Sequence, residues 1–355
     1  MKELKYLNVP LLTSHVLLFI IGIVTLFSTS PELAREQLVY FLIGIVFYFI
    51  ILSQDVQLLR YIWKPMYIVQ ILLLILTFAI GDTRMGASRW INIWFVTFQP
   101  SELAKVVLLV AIASLITEYG KDFQNLKNLT KILLISVPLL TLVVIQPDLG
   151  TTIVLFSILL GLLFYSGLNK IYILVLATIF GILSTPIWNM LHDYQQQRIL
   201  VFINPQLDIL GSGYNVIQSL IAIGSGGLTG QGFSRGTQTH LNFLPAHWTD
   251  FIFASYSEEW GLVGVIIFLF LYLALLLSIL RTASKVKNPF GSILVFGVFI
   301  IFFVQFLVNT GMNLGIMPVT GIPLPLVSYG GTSMLVSCTL LGLTQRIWMS
   351  EKMQL

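Results

Sequence analysis

Charged residues are scarce in this chain. Of its 355 residues, 57% are apolar and only 10% are charged, and the mean hydropathy is +0.92. Soluble domains carry about 25% charged residues. The composition therefore excludes a large soluble core and indicates an integral membrane protein. The net charge of +4 comes from scattered cations, which argues against a nucleic-acid-binding surface.

Cysteine is almost absent. Cys338 is the single cysteine and lies in an apolar run, which excludes an internal disulfide and a cysteine metal cage. The first apolar run lacks a small-residue cleavage site after it, so it is predicted to remain as the first helix.

Long apolar runs fill most of the chain. A spanning helix needs about 20 mostly apolar residues, and the sequence predicts one all-α polytopic membrane domain, 1–355, with ten transmembrane helices. The predicted spans are residues 11–28, 37–53, 65–81, 101–118, 131–146, 151–167, 171–190, 258–281, 290–312 and 325–346.

The cations predict the orientation. Most lysines and arginines fall in connections on the same side as the two termini, which places both termini in the cytoplasm. The connection between the seventh and eighth spans, residues 191–257, then lies outside the membrane. A connection this long in a compact fold is usually functional.

This outer loop ends in an acidic residue whose placement at the edge of a membrane costs free energy. Asp250 lies directly before the eighth span, and acids at the bilayer edge are generally kept for chemistry, ion handling or capping. Thr249 beside it and Glu258 two helical turns later are expected to support the fold around it.

A second charged group opens the fourth span. Glu102 and Lys105 are three residues apart and share a helix face. They either neutralise each other at the membrane edge or line a polar cavity beside Asp250, which Arg84, Arg89, Trp90 and Gln99 would surround. Asp148, before the sixth span, is expected to cap free helix amides, and a direct catalytic role stays open.

Two glycine-rich stretches offer further polar groups. Residues 211–232 form either a helix at the membrane interface or, with Arg198 and Arg235, a cradle for a diphosphate or lipid headgroup. The broken segment 309–333 carries Ser328 and Thr332, which are predicted to hydrogen-bond to sugars. The histidines at 240 and 247 alone make a weak metal site.

Taken in order, these motifs resemble the SEDS family (shape, elongation, division and sporulation), in particular its RodA-type members. The motifs are Arg89-Trp-Ile, Phe98-Gln-Pro-Ser-Glu-Leu-Ala-Lys105, Gln146-Pro-Asp-Leu-Gly-Thr151, the glycine-rich run 213–236, Leu244-Pro245 with Thr249-Asp-Phe-Ile-Phe253, Gly321-Ile-Pro-Leu-Pro and Ser328-Tyr-Gly-Gly-Thr-Ser333. They cover almost the whole chain.

The resemblance implies a polytopic enzyme that polymerises lipid II outside the bacterial cytoplasmic membrane during elongation and cell-shape maintenance. It implies that Asp250 is essential and that Glu102 and Lys105 form a cavity pair. A class B penicillin-binding protein transpeptidase and other membrane proteins of the elongation complex are the implied partners. The family commonly has a glutamate and a histidine where this chain has Ala246 and Trp248, which puts help from those neighbours in doubt.

On this reading Asp250 is the general base of an inverting glycosyl transfer with lipid diphosphate as leaving group. Lys105, Arg198, Arg235 or a divalent cation (Mg or Mn), for which Asp250 is a candidate ligand, would stabilise the diphosphate. No organic cofactor is expected. The alternatives are a lipid II transporter (flippase), a scaffold for the transpeptidase, and a division or sporulation paralogue.

Overall fold

A computed structural model gives the fold of the chain. It describes residues 5–354 apart from 85–86, 94–95, 173, 176–177, 179–180, 183–187, 189–192, 205–207 and 209–210. The helices are α1 (Val9–Thr29), α2 (Pro31–Ser53), α3 (Gln57–Ile80), α4 (Pro100–Tyr119), α5 (Leu126–Ile145), α6 (Leu149–Tyr165), α7 (Asp193–Ile203), α8 (Ser212–Ser225), α9 (Thr237–His240), α10 (Ile252–Lys285), α11 (Pro289–Asn313) and α12 (Gly331–Gln354).

Local sequence explains several of the helix starts. Proline opens α2, α4 and α11, where its missing N–H costs nothing. Side chains of Asn8, Asp148 and Asn288 accept from free amides at the starts of α1, α6 and α11. These caps therefore fix the first residues of the three helices at the beginnings of apolar runs.

Helix α4 lies at the centre of the fold. It packs against α3, α5, α6, α11 and α12, and most of its side chains are buried. Around it, α12 packs along α2, while α10 packs along α1 and α11. The core is therefore built from helix faces that meet around one buried helix.

The predicted membrane architecture is confirmed in its main features. Among the described residues, seven helices are long and apolar enough to cross a membrane, and α6 is a shorter apolar helix of 17 residues. The predicted span 171–190 falls largely outside the described residues, and the last helix begins at Gly331 instead of 325. The total of ten spans stays a prediction.

Two parts of the connections differ from the prediction. A small antiparallel sheet connects α3 to α4, with strands β1 (Asp82–Arg84), β2 (Ala87–Ile93) and β3 (Val96–Phe98) in the order β1-β2-β3. The stretch predicted as a loop, 191–257, runs into α10 at Ile252 and contains α7, α8 and α9, of which α8 matches the helix that was one of two predictions for 211–232. Short strands and helices inside a connection leave little periodic signal.

Candidate active site

Asp250 lies two residues before α10 and is half-buried. Its main-chain carbonyl accepts hydrogen bonds from two side-chain amides of α11, from Asn309 Nδ2 at 3.1 Å and Asn313 Nδ2 at 3.0 Å. The two asparagines are four residues apart, so they share a helix face. Asn313 also accepts from the amide of Ala254 at 3.1 Å. The end of α11 thus fixes the peptide that carries Asp250.

The broken segment between α11 and α12 holds the residues just before Asp250. The buried hydroxyl of Ser328 donates to the carbonyl of Thr249 at 2.7 Å and accepts from the amide of Leu324 at 2.9 Å. The amide of Tyr329 donates to the carbonyl of Trp248 at 2.9 Å. Ser328 was predicted to bind sugar, but in this structure its hydroxyl hydrogen-bonds to the main chain.

Two arginines act on the Asp250 carboxyl. Burial raises the pKa of Asp250, while Arg198, a hydrogen bond from Thr249 and Arg89 lower it. Gly321 lies beside both groups: a methyl group placed on it would lie 3.7 Å from Asp250 Oδ2 and 3.8 Å from Arg198 Nη1. Arg198 on α7 and Asp250 therefore both approach one glycine, which has a φ of +74°.

Arg89 on β2 is tied to the turn before α6. Its Nε donates to the carbonyl of Gln146 at 3.1 Å, and its Nη2 donates to the carbonyl of Pro147. The buried amide of Gln195 on α7 donates to the same Pro147 carbonyl at 3.3 Å. One turn thus links the sheet to α7, the two elements that bring their arginines to Asp250.

Asp148 completes this turn. Its Oδ1 accepts from the amide of Thr151 at 3.1 Å, which caps α6. Its Oδ2 accepts from Ser101 Oγ at 2.9 Å and from Gln99 Nε2 at 3.1 Å. The main-chain amide of Gln99 donates to Thr332 Oγ1 at 3.0 Å. Asp148, Gln99 and Thr332 thus join the starts of α4, α6 and α12.

Glu102 and Lys105 form a buried ion pair. Lys105 Nζ lies 2.8 Å from both carboxylate oxygens of Glu102, and each residue is at most 3% exposed. The pair lies in the first turns of α4, near the Asp148 turn. Among the described residues, the cations that act on Asp250 are Arg198 and Arg89, and not Lys105 or Arg235.

The glycine-rich run after α8 packs on α10. The amides of Gln231 and Gly232 donate to the carbonyls of Glu258 and Glu259, both at 3.0 Å. A Cβ at Gly230 would lie 2.0 Å from the Glu259 carbonyl, so no side chain fits there. Helix α10 breaks opposite this contact, at Gly261 with a φ of +61°. Those amides bind α10, which argues against their use as an anion cradle.

Two adjacent carboxylates secure the same loop. Glu258 is fully buried and accepts from the amides of Gln238 and Thr239 and from the hydroxyl of Thr239 at 2.7–3.2 Å. Glu259 accepts from Ser28 at the end of α1 and lies 3.5 Å from His240 Nε2. Glu258 thus caps α9, while Glu259 joins the loop to α1.

Neither predicted loop histidine reaches Asp250. His247 is buried, shares a hydrogen bond of 2.9 Å between its Nδ1 and the Leu244 carbonyl, and has a pKa lowered by burial. The charged groups that act on it are His240 and Glu258, and the groups that shift the pKa of Asp250 do not include it. Arg235 is exposed on the loop between α8 and α9.

The groups around Asp250 do not fit a dedicated metal site. Within the described part of the chain, no three His, Cys, Asp or Glu side chains cluster as metal ligands. One carboxylate flanked by two guanidinium groups also repels a cation. A divalent cation that binds together with the substrate stays a prediction.

Sequence reasoning missed the groups that hold Asp250. Asn309 and Asn313 were available as a signal, because two asparagines four residues apart on an apolar helix must find buried partners. Arg89 was predicted among the residues around a cavity beside Asp250, but its action on the Asp250 carboxyl was not predicted. Gly321 was recognised in its motif, without its position beside Asp250.

Comparisons with known proteins give a matching family model and two similar folds. A family model for FtsW, RodA and SpoVE, described as cell cycle protein, matches residues 6–353. The peptidoglycan glycosyltransferase MrdB of Escherichia coli K12 is 44% identical over 296 residues, covering 82% of this chain and 79% of that protein.

Two solved structures share the fold. One describes the structural coordination of polymerization and crosslinking by a peptidoglycan synthase complex; it is 32% identical with a TM-score of 0.85, over 97% of this chain and 98% of that one. The other, a mutant of the rod shape determining protein RodA of Thermus thermophilus, is 28% identical with a TM-score of 0.74, over 96% of this chain and 97% of that one.

Proposed function

The chain belongs to the FtsW, RodA and SpoVE family of cell cycle proteins, and from this membership we propose that Asp250 is the general base with which it polymerises lipid II. The chain is a peptidoglycan glycosyltransferase of the RodA type in the bacterial inner membrane. Asp250 faces outward in this proposal, so that glycan strands form on the outer surface during elongation and cell-shape maintenance.

The observation that carries the proposal is that Asp250 and Arg198 lie close together beside Gly321, where the arginine acts on the carboxyl. A base and a cation side by side are what this transfer needs. The acceptor 4-hydroxyl gives its proton to Asp250, and its oxygen attacks the anomeric carbon of the donor sugar. The bond from that carbon to the lipid diphosphate breaks with inversion, and the diphosphate leaves with the bonding electron pair.

Burial makes the Asp250 carboxylate a stronger base for accepting the proton of the acceptor hydroxyl. A carboxyl with a raised pKa is a stronger base than an ordinary one, and positioned bases contribute about 10²–10⁴-fold to a rate. Because the fold holds Asp250 by its main-chain carbonyl, the carboxylate can exchange a proton without loss of that support.

Arg198 serves the second half of the transfer, and Arg89, whose guanidinium donates to the Gln146 and Pro147 carbonyls, adds its charge from that fixed position. Charge develops on the diphosphate as it leaves, and fixed guanidinium groups stabilise such charge and bind phosphate in a bidentate manner. Lys105, Glu102, Gln99 and Arg235 remain proposed substrate contacts with less support, because three of them have protein partners and Arg235 lies exposed on the α8–α9 loop.

The test is polymerisation of lipid II by purified protein. Asp250→Asn keeps the size of the side chain and removes the base, so the rate should fall by at least about 10²-fold. Asp55→Asn, in an exposed residue between α2 and α3, is the matched control and should stay at the wild-type rate. Retained polymerisation by well-folded Asp250→Asn would overturn the assignment.

A partner transpeptidase belongs to the same proposal. The structure most similar in fold among those compared above couples polymerization to crosslinking in a synthase complex, which supports a class B penicillin-binding protein as partner here. Addition of such a partner should raise the polymerisation rate, whereas a flippase would move lipid II headgroups across vesicles without forming polymer.

The family model also covers division and sporulation proteins, so a division or sporulation role is the second candidate. Complementation of depletion strains distinguishes the elongation role from the division role. We expect this chain to restore rod shape in a strain that lacks its elongation glycosyltransferase, and not septation in a strain that lacks the division one.

A further inference from the structure

A cavity of about 300 Å³ opens at the end of the fold opposite Asp250. Helix α4 starts beside the Asp148 turn and ends 20 residues later at Tyr119, about 30 Å away at 1.5 Å per residue. The cavity lies at that far end. Its walls are α3, α4 and α5, formed by Trp63, Lys64, Leu115, Glu118, Tyr119, Lys131, Leu134 and Ile135.

Two lysines from different helices line this cavity. Lys64 Nζ lies 5.7 Å from the ring centre of Trp63, and Lys131 Nζ lies 5.6 Å from that of Tyr119. Among the described residues, neither ammonium lies within 4.0 Å of a carboxylate, although Glu118 also lines the cavity. The aromatic rings orient both lysines without neutralising them.

The remaining wall is apolar. Leu134 is 64% exposed and Leu115 is almost fully buried, so the cavity runs from the core to the outside of the helix bundle. A hydrogen bond of 2.8 Å from Tyr67 Oη to the Ile135 carbonyl holds α3 against α5 beside it. An apolar wall next to two cations suits a molecule with an acyl chain and an anionic head.

We propose that this cavity binds an anionic phospholipid, with its phosphate between Lys64 and Lys131 and an acyl chain along Leu134 and Ile135. Basic pockets between transmembrane helices bind lipid headgroups of this kind. The site is separate from Asp250, so it holds a structural or regulatory lipid and not the reacting substrate.

Native mass spectrometry of the full chain tests this site after exchange into phosphatidylglycerol or phosphatidylcholine. Wild type should retain one more phosphatidylglycerol than Lys64→Gln/Lys131→Gln, with retention weakened about 25-fold, or about fivefold per lysine. Lys121→Gln/Lys127→Gln removes the same charge from exposed positions at the same end and should behave as wild type.

Charge-conserving and free-anion arms complete the experiment. Lys64→Arg/Lys131→Arg should keep the lipid, and its melting temperature shows that the region folds. Equal retention by both glutamine double variants, or equal retention of phosphatidylcholine, would overturn the site. So would displacement of the lipid by inorganic phosphate alone, because the ligand would then be a free anion.

Discussion

The side-chain amide of Asn313 donates to the main-chain carbonyl of Asp250 across 3.0 Å. Replacement by leucine leaves that buried carbonyl with one amide fewer and leaves the Ala254 amide without its partner. We expect Asn313→Leu to cost about 1–3 kcal/mol of stability. The polymerisation kcat should fall more than KM changes, because the base loses its position.

The control is Gln305→Leu, a buried amide on the same helix that makes none of these contacts. Differential scanning fluorimetry and steady-state kinetics on both variants decide the matter. If kcat falls equally in both, the effect is a general loss of stability.

Gly321 lies beside both Asp250 and Arg198. A methyl group there fits at van der Waals distance from both charged groups, but its positive φ costs a non-glycine residue about 1–2 kcal/mol. Gly321→Ala should lose that stability and also lose activity, since the methyl occupies the gap that the reacting groups must enter.

Gly167→Ala is the matched control, because Gly167 has a φ of +87° and open space around it. It should show a similar loss of melting temperature at full polymerisation rate. Full activity of Gly321→Ala would mean that the substrate does not pass between the two charges.

The pH dependence of kcat/KM should report on Asp250. Its carboxylate acts as base only when deprotonated, and burial raises its pKa above the ordinary 3.8, so activity should be lost as the pH falls through that raised value. Arg198 lowers this pKa. Arg198→Gln should therefore move the acid limb to higher pH, besides lowering the rate.

Arg235→Gln removes an exposed arginine that does not act on Asp250 and should leave the limb in place. A shift of the limb to lower pH in Arg198→Gln would contradict the electrostatic assignment.

Glu258 should be a major stabiliser of the outer loop. Glu258→Leu leaves two amides and a hydroxyl around the start of α9 without their acceptor, at a cost of at least about 2 kcal/mol. We expect faster proteolysis within residues 226–240. The exposed Glu118→Leu should not change the cleavage rate.

The Glu102–Lys105 pair can be tested for a role beyond its own neutrality. Lys105→Met leaves Glu102 buried and uncompensated, which costs about 3–5 kcal/mol. Glu102→Gln/Lys105→Met removes both charges and should regain most of this stability. If polymerisation returns with it, the pair is structural; if activity stays low, Lys105 contacts substrate.

The sequence predicted what depends on local pattern. Long apolar runs located the membrane helices, and the acid before α10 identified Asp250 because charge is so rare here. The contacts of Asp250 could not be predicted. They join Asp250 to Asn309 and Asn313, and Thr249 to Ser328, across 59 to 79 residues of chain.

Polar residues in the broken segments were harder to interpret. Ser328 and Thr332 have the composition of a sugar-binding surface, and only the fold shows that their hydroxyls bind the main chain. The glycines after α8 had two interpretations from sequence. Their close approach to α10 depends on the break at Gly261, which no local pattern predicted.

The fold holds Asp250 by its main-chain carbonyl, whereas the proposed chemistry uses its side-chain carboxylate. Helix α11 and the segment before α12 hold the backbone of residues 248–250, while the Thr249 side chain acts on the carboxyl itself. None of these contacts uses the side chain of residue 246 or 248. The backbone that carries Asp250 is therefore held in the same way with an alanine and a tryptophan at these two positions.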